Sequence, residues 1–421
     1  MKKVELLSPA GNLKKLKIAV DYGADAVYGG VSHFSLRIRS GKEFTIESFK
    51  EGIDYAHSRG KKVYCTINGF PFNSQIELFK KHIKTMAELG PDAFIVSTPG
   101  VIRLCREIAP HMELHLSTQA NVMNYLDAQF YYEAGIKRII AAREISLRDL
   151  EIIKNKIPDL EIEVFVHGSM CFAYSGRCLI SAVQSGRVPN RGSCANDCRF
   201  PYTLYAENPE TGALFKIEER AQEGTYIMNA KDLNLISHLE EIVKSGAVDS
   251  IKIEGRTKSD YYVAVTTKSY RGALDDIYRG KFDPSVYERE LNTTKHRGFT
   301  DAYLVHRPYE KDDTQQLDRS IGDGTHQVCA IVTEDGGHFL TKDRICRGDV
   351  LEIVTPKSRP KPCSNEIGEI FEKEGIWYVK MKKLVSKNSK EFECIHSGNQ
   401  NPIKLPCNLE AFSFLRREIE T

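Results

Sequence analysis

Four cysteines and one alternating strand hold the residue types in this chain that do chemistry. Ile162, Val164 and Val166 alternate with Glu163, Phe165 and His167, the period of a β-strand with one apolar face. The pattern breaks at Gly168 into a loop bearing Cys171 and Cys178, with Cys194 and Cys198 further on. A strand that delivers a carboxylate, an imidazole and four thiols to one place describes an active site or a metal site. The plain alternative is a half-buried strand followed by thiols that pack as small hydrophobes. The spacing is C-x6-C-x15-C-x3-C, and only the last pair is as close as the paired ligands of zinc ribbons. Four thiolates without a histidine suit either a structural zinc or an iron–sulfur cluster. Cys65, Cys105, Cys329, Cys346, Cys363, Cys394 and Cys407 show no ligand spacing and read as core or surface thiols. Glu163 and His167 share a face but lie about 13 Å apart along a strand, too far to grip one ion unaided.

The elements that position these groups alternate between short β-rich runs and amphipathic helical windows. Eight strands are expected: 4–7, 26–30, 62–67, 93–97, 113–117, 138–142, 161–167 and 250–254. Leu147, Leu150, Ile153 and Ile157 recur on one helical face, and Ser146 with Asp149 fits the start of that helix. Eight βα units predict an α/β fold, a closed (β/α)8 TIM-like barrel. An open doubly wound sheet is the alternative, but no Gly-rich dinucleotide fingerprint follows the first strand. Strand five puts Glu113, His115 and Ser117 on one face, strand seven Glu163 and His167, and strand eight Lys252 and Glu254. A barrel interior built only for stability carries branched apolar residues, so these polar faces mark candidate catalytic groups. Strands seven and eight are neighbours in such a barrel, so Lys252 can pair with Glu163 and keep it ionised. Asn68, Gln119, Arg143 and Arg256 fall at strand C-termini, the mouth of the barrel. The two arginines there suit an anionic substrate such as a carboxylate or phosphate.

The gap between strands seven and eight, about 169–226, is an insertion at the mouth that carries the four cysteines, with turn signals at 189–192 and 208–212. Residues 1–280 form the barrel domain, with a closing helix at about 259–279, and 281–324 a polar, turn-rich connector. From about 325 to 421 short alternating strands with Gly turns predict a small antiparallel β-barrel. Within it, 379–390 carries five lysines and no acid beside Trp377 and Tyr378. Lys380, Lys382, Lys383 and Lys387 there are candidate contacts to a nucleic-acid backbone; a solvated strand edge guarded by lysines is the alternative. The chain has 421 residues, 41% hydrophobic and 28% charged, with a formal net charge of +2, so bulk charge names no partner. No stretch reads as a signal peptide or bilayer span, which sets a cytoplasmic location as the expectation. Eleven cysteines, an odd number, in such a chain point to thiols or metal ligands rather than a disulfide frame.

The stretch 163–181 resembles the signature of the collagenase-like peptidase family, a peptidase family of unassigned catalytic type. Glu163, Phe165, Gly168, Ser169, Cys171, Gly176, Cys178 and Ser181 all match its fixed positions. Residues 5–12, 117–119, 228–233 and 252–256 are similar to the family's style as well, so the likeness spans nearly the whole chain. Within the family the chain is most similar to members that hydroxylate the wobble uridine of tRNA. The resemblance therefore implies a tRNA uridine hydroxylase component, prephenate as co-substrate and a 4Fe–4S cluster. By similarity Cys171, Cys178 and Cys194 are ligands; Cys198 is the candidate fourth, because Asn234 stands where some relatives place a downstream ligand. Two alternatives stand beside this. One is a collagenase-like endopeptidase acting on peptide or collagen, though the chain has no H-E-x-x-H and no G-x-S-x-G elbow. The other is an RNA-binding scaffold with structural zinc.

Overall fold

The computed structural model describes residues 2–31, 44–187, 194–217, 228–301, 303–305, 308, 311–316, 321–322 and 324–419; the turn expected over 189–192 lies outside them. Eight parallel strands close into a ring: β1 Glu5–Pro9, β2 Ala26–Gly29, β3 Lys62–Ile67, β4 Ala93–Val96, β5 Glu113–Leu116, β6 Arg138–Ile140, β7 Glu161–Ser169 and β8 Ser250–Ile253. Each pairs with its sequence neighbour, and β8 pairs with both β1 and β7, which seals the cylinder. Leu6, Val27, Val63, Phe94, Leu114, Ile139, Ile162 and Ile251 are fully buried. The expected (β/α)8 barrel is the observed fold.

Side chains of the preceding loops set where the outer helices begin. Asn12 accepts the Lys15 N–H at the start of α1 (Leu13–Asp21), and Thr45 does the same for Ser48 at α2 (Ile46–His57). Helices α3 (Ile76–Leu89), α4 (Pro99–Ile108) and α5 (Tyr125–Glu133) follow β3, β4 and β5. At α6 (Leu147–Lys156) the Ser146 hydroxyl accepts from the Asp149 N–H, as its spacing predicts. The closing helix, Asp260–Arg279, is capped by Ser259 and ends at Gly280 in the left-handed region.

Residues beyond the barrel depart from expectation in three ways. The connector holds a helix, Pro284–Leu291, whose Leu291 is fully buried. The C-terminal unit is a curled antiparallel sheet of eight strands with a strand at its centre, Phe414–Glu418, that sequence periodicity did not reveal. That strand reads Phe-Leu-Arg-Arg-Glu without alternation because Arg416 is itself buried: it binds Glu290 at 2.6 Å, Glu352, and the Tyr261 hydroxyl at 2.6 Å. Those contacts, with the Tyr22 hydroxyl on the Val354 and Phe412 carbonyls, tie the sheet to the outside of the barrel. The third departure corrects the reading of four cysteines as separate thiols. Cys346 bonds to Cys394 and Cys363 to Cys407. The partners are 48 and 44 residues apart in sequence, so spacing could not reveal them; Cys346 and Cys394 meet because they lie opposite in an antiparallel pair. No helix among the described residues is long and apolar enough to cross a membrane.

Candidate functional site

A cavity of about 320 Å³ opens at the C-terminal ends of the barrel strands, where barrel enzymes place their sites. Asn68, Gln119, Arg143, Lys252, Glu254 and Arg256 line it together with Cys171, Cys178, Cys194 and Cys198. Ten sequence-derived candidates thus converge on one space. The loop after β7 brings the thiols there because β7 ends in a tight crossing. Gly168 sits at φ 103°, and a Cβ on it would lie 2.3 Å from the Glu254 carbonyl oxygen, so a side chain at this position would collide with the end of β8. Beyond it Ser175 is also held at positive φ (38°), its N–H donating to Glu144 at 2.8 Å and its hydroxyl to the same carboxylate.

The cavity wall is cationic. Among the described residues, Arg143, Arg199, Lys252, Arg256, Lys258 and Arg297 line it against one carboxylate, Glu254. Arg143 stacks on the Phe165 ring at 3.9 Å and reaches Glu254 at 3.5 Å; Lys252 lies 4.3 Å from the Tyr28 ring centre. Arg256 donates to the Thr66 hydroxyl at 3.3 Å. An aromatic-backed set of cations facing one acid binds a small anion, with several donors available for carboxylate oxygens.

Tyr28, Thr66, Arg199, Lys258 and Arg297 were not singled out from sequence. Tyr28 and Thr66 could have been found by asking what else stands at the strand ends. Arg297 could not: it comes from the stretch expected to be a connector, and Asp232 and the Ala230 carbonyl anchor it.

The three remaining candidate catalytic residues lie elsewhere. Glu163 is fully buried beneath the cavity, where Lys252 donates to it at 2.9 Å, Ser250 at 3.0 Å and Arg138 at 3.2 Å. Burial alone would raise its pKa, but the Lys252 and Arg138 charges prevail and hold the carboxyl below the usual Glu value. The expected Lys252–Glu163 pair is therefore present. Arg138 also binds Glu5 at 2.6 Å and Glu161 at 2.7 Å, so the pair belongs to a network filling the lower barrel. His115 lies deeper in the same interior, against Glu113 at 2.8 Å and edge-on to Tyr64, and burial lowers its pKa.

His167 does not share a face with Glu163. The β7–β8 register runs Lys252 opposite Phe165, then Ile253 opposite His167, so Val166 is an extra residue and the alternation slips. Phe165 takes the cavity-facing position. The imidazole packs outside among Tyr262, Tyr270 and Phe299, with ring centres 5.5–5.9 Å away. Burial there pushes its pKa down to about 3, so it is neutral at physiological pH.

The four thiols fit a soft-metal group by donor chemistry: four sulfurs line one cavity and, among the described residues, no histidine does. Burial raises the Cys198 pKa first, and the charges of Cys171, Cys194 and Cys178 raise it further, which places all four within electrostatic reach. Among the described residues, no group of three or more His, Cys, Asp or Glu is arranged to hold a metal ion. The sulfurs surround a space rather than meet at a point.

Lys380 lies in the strand Ile376–Met381 and Lys382, Lys383 and Lys387 in turns of the C-terminal unit, and none lines the cavity. Three have acids nearby: Lys382 with Glu369 (3.6 Å), Lys383 with Glu366 (3.7 Å) and Lys387 with Asp335 (4.0 Å). The run that looked uncompensated in sequence is partly neutralised across strands, which favours the guarded-edge reading.

Comparison with known proteins bears on the whole chain. It is 59% identical over its full length, and over the full length of the relative, to "tRNA hydroxylation protein P" of Helicobacter pylori. It is 41% identical to the protein of the same name from Escherichia coli K12, over 85% of this chain and 87% of that one. A protein named "Collagenase" from Porphyromonas gingivalis is 30% identical over 72% of this chain and 73% of its own. The model of peptidase family U32 matches residues 11–314, from the loop after β1 through the thiols and Arg297, and the chain belongs to that family.

Proposed function

We propose that this chain serves in the hydroxylation of tRNA, at the ring carbon C5 of the wobble uridine, with prephenate as co-substrate and a 4Fe–4S cluster on Cys171, Cys178, Cys194 and Cys198. One observation carries the reading: the thiols and the cationic wall line the same cavity. A thiolate-held cluster, when bound, supplies one-electron chemistry. The chain's own residues do the rest. Arg143 and Arg256 bind the carboxylates of a dicarboxylate metabolite, Lys252 adds a third cation fixed by Glu163, and Phe165 and Tyr28 shield these charges from water. A single-stranded anticodon loop offers a base that can be swung out toward the barrel mouth. The names borne by the Helicobacter and Escherichia relatives support the RNA substrate.

The test is a nucleoside profile of tRNA from cells lacking the protein, with iron and sulfide assayed on anaerobically purified protein. Loss of 5-hydroxyuridine derivatives, together with brown, iron-containing protein, supports the reading. Unchanged wobble hydroxylation refutes it, and colourless protein with stoichiometric zinc moves the preference to an RNA-binding scaffold. A collagenase-like peptidase is the second reading, favoured by the name of the Porphyromonas relative. Gelatin turnover by pure protein that disappears in Glu163→Gln would support it.

A further inference from the structure

The cations of the cavity wall fall into two groups. Arg143, Lys252 and Arg256 stand at the barrel strands, against Glu254 at 3.5 Å, Glu163 at 2.9 Å and Thr66 at 3.3 Å. Arg199, Lys258 and Arg297 gather instead around Asp232, which lies behind the wall. The strand Asp232–Asn234 runs antiparallel to the end of β7 and sets Asp232 opposite Ser169, two residues before Cys171. Asp232 accepts from the Arg297 guanidinium and from the Arg297 backbone N–H at 3.3 Å, while the Ala230 carbonyl accepts from the Arg297 Nε at 2.6 Å. Both residues are 2% exposed, so solvent screens neither charge well. Burial lowers the guanidinium pKa to about 10 against the pull of Asp232, and Arg297 stays charged at neutral pH. Arg297 and Cys198 lie within electrostatic reach of each other and line the same cavity.

We infer that the Arg297–Asp232 pair serves the thiols rather than the metabolite: Arg297 is the fixed cation that tunes the reduction potential of the cluster, and Asp232 is the positioning residue that keeps it there. The inference rests on the cluster reading above and assigns these two residues a part in it. A thiolate-held cluster gains one negative charge on one-electron reduction. A buried cation beside it favours the more negative state and raises the potential, and a buried anion lowers it. Asp232 therefore acts in two opposed ways. It anchors Arg297, and its own charge offsets part of the field that Arg297 exerts. Arg199, which follows Cys198 in the chain, and Lys258, 3.8 Å from Asp232, leave the group positive in sum. Outer-shell groups of this kind commonly adjust a metal centre without touching the metal.

The test is an anaerobic redox titration of the full-length protein with dithionite and mediator dyes, read by visible absorbance and by the paramagnetic resonance of the reduced state. At the potential where wild-type protein is half reduced, Arg297→Gln should show a reduced-to-oxidised ratio about tenfold lower, a shift of about 59 mV to more negative potential. Arg297→Lys should stay within about threefold of wild type, because it keeps the charge. Asp232→Asn should move the ratio upward, because it removes a negative charge and leaves an oxygen acceptor for Arg297. Opposite signs from neighbouring substitutions mark a field effect, which local damage to the fold would not produce. A ratio within about twofold of wild type in Arg297→Gln, or shifts of one sign in both variants, overturns the inference and leaves the cluster reading intact. Wild-type protein without iron and sulfide overturns the cluster reading and this inference with it. If Arg297→Gln fails to fold, the direction of the shift in Asp232→Asn still decides.

Discussion

Replacing Glu163 by Gln changes one atom's chemistry at a fully buried position, and its consequences can be worked through. The carboxylate accepts from Lys252 at 2.9 Å, Ser250 at 3.0 Å and Arg138 at 3.2 Å. Arg138 keeps Glu5 and Glu161 in the variant, but Lys252 loses the carboxylate it is bonded to in the barrel interior. Removing one partner of a buried ion pair costs about 3–5 kcal/mol, because the other charge stays buried. At about 2–4 °C per kcal/mol, the melting temperature should fall by roughly 6–20 °C. The effect has a pH signature. Glu163 titrates below the ordinary Glu value of about 4.3 when folded. Its stabilisation is therefore complete above about pH 4.3 and is lost as pH falls through the folded pKa, so the gap between wild type and variant should close in acid. Thermal melts from pH 7 down to 3.5 measure this. Adding Lys252→Met to Glu163→Gln should restore part of the loss, since no orphaned cation remains. A loss below about 1 kcal/mol at pH 7, or strict additivity of the two substitutions, refutes the account of Glu163 as the residue that fixes Lys252.

Four further outcomes follow. Substituting Cys171, Cys178, Cys194 or Cys198 singly with Ser should cut iron and sulfide content and bleach the visible absorbance; full iron retention in Cys198→Ser would assign the fourth ligand elsewhere. Arg256→Gln should raise the KM for the anionic co-substrate by roughly 10–100-fold, the worth of a charge-assisted hydrogen bond, with a smaller change in kcat. Lys382→Glu with Lys383→Glu should leave RNA affinity within about twofold, as both lysines already face acids; a large loss would return the C-terminal sheet to the interface. His167 is neutral in the folded state, with a pKa near 3 against about 6.5 unfolded, so stability should fall as pH drops below 6.5, by up to about 1.4 kcal/mol per pH unit from this group. His167→Gln should flatten that slope in acid denaturation curves.

The barrel was legible because its signal is local and repeated. Each strand is a short run of three to nine residues, and several helices announce their start with a capping side chain, as at Asn12, Thr45, Ser146 and Ser259. The mouth was legible by the same logic, since strand ends can be counted: Asn68, Gln119, Arg143 and Arg256 all reached the cavity. His167 was misplaced because period-two counting assumes an unbroken ladder, and one extra residue at Val166 turned the imidazole out. Arg297 and the two disulfides were missed for a different reason. Their partners lie tens of residues away, and only folding brings them together. The lysine run misled because its neutralising acids, Glu366 and Glu369, lie on the neighbouring strand and the turn before it rather than at adjacent positions.

The slip at Val166 has a consequence for the chemistry. With His167 turned out, no imidazole among the described residues lines the cavity, and general acid–base work by the residues that do would fall to Lys252 and Glu254. Both are already committed, Lys252 to Glu163 and Glu254 to Arg143, which suits residues that hold charge better than residues that shuttle protons through a hydrolytic cycle. A cluster ligated by four thiolates is a net anion, and so is a dicarboxylate; each needs cations that a single acid cannot neutralise. Even with Glu163 and Asp232 behind the wall paired to Lys252 and Arg297, cations outnumber acids around the cavity among the described residues. A peptide amide carries no such charge and gains little from these cations, so the electrostatics of the cavity favour an anionic metabolite beside a thiolate-bound cluster over a scissile peptide bond.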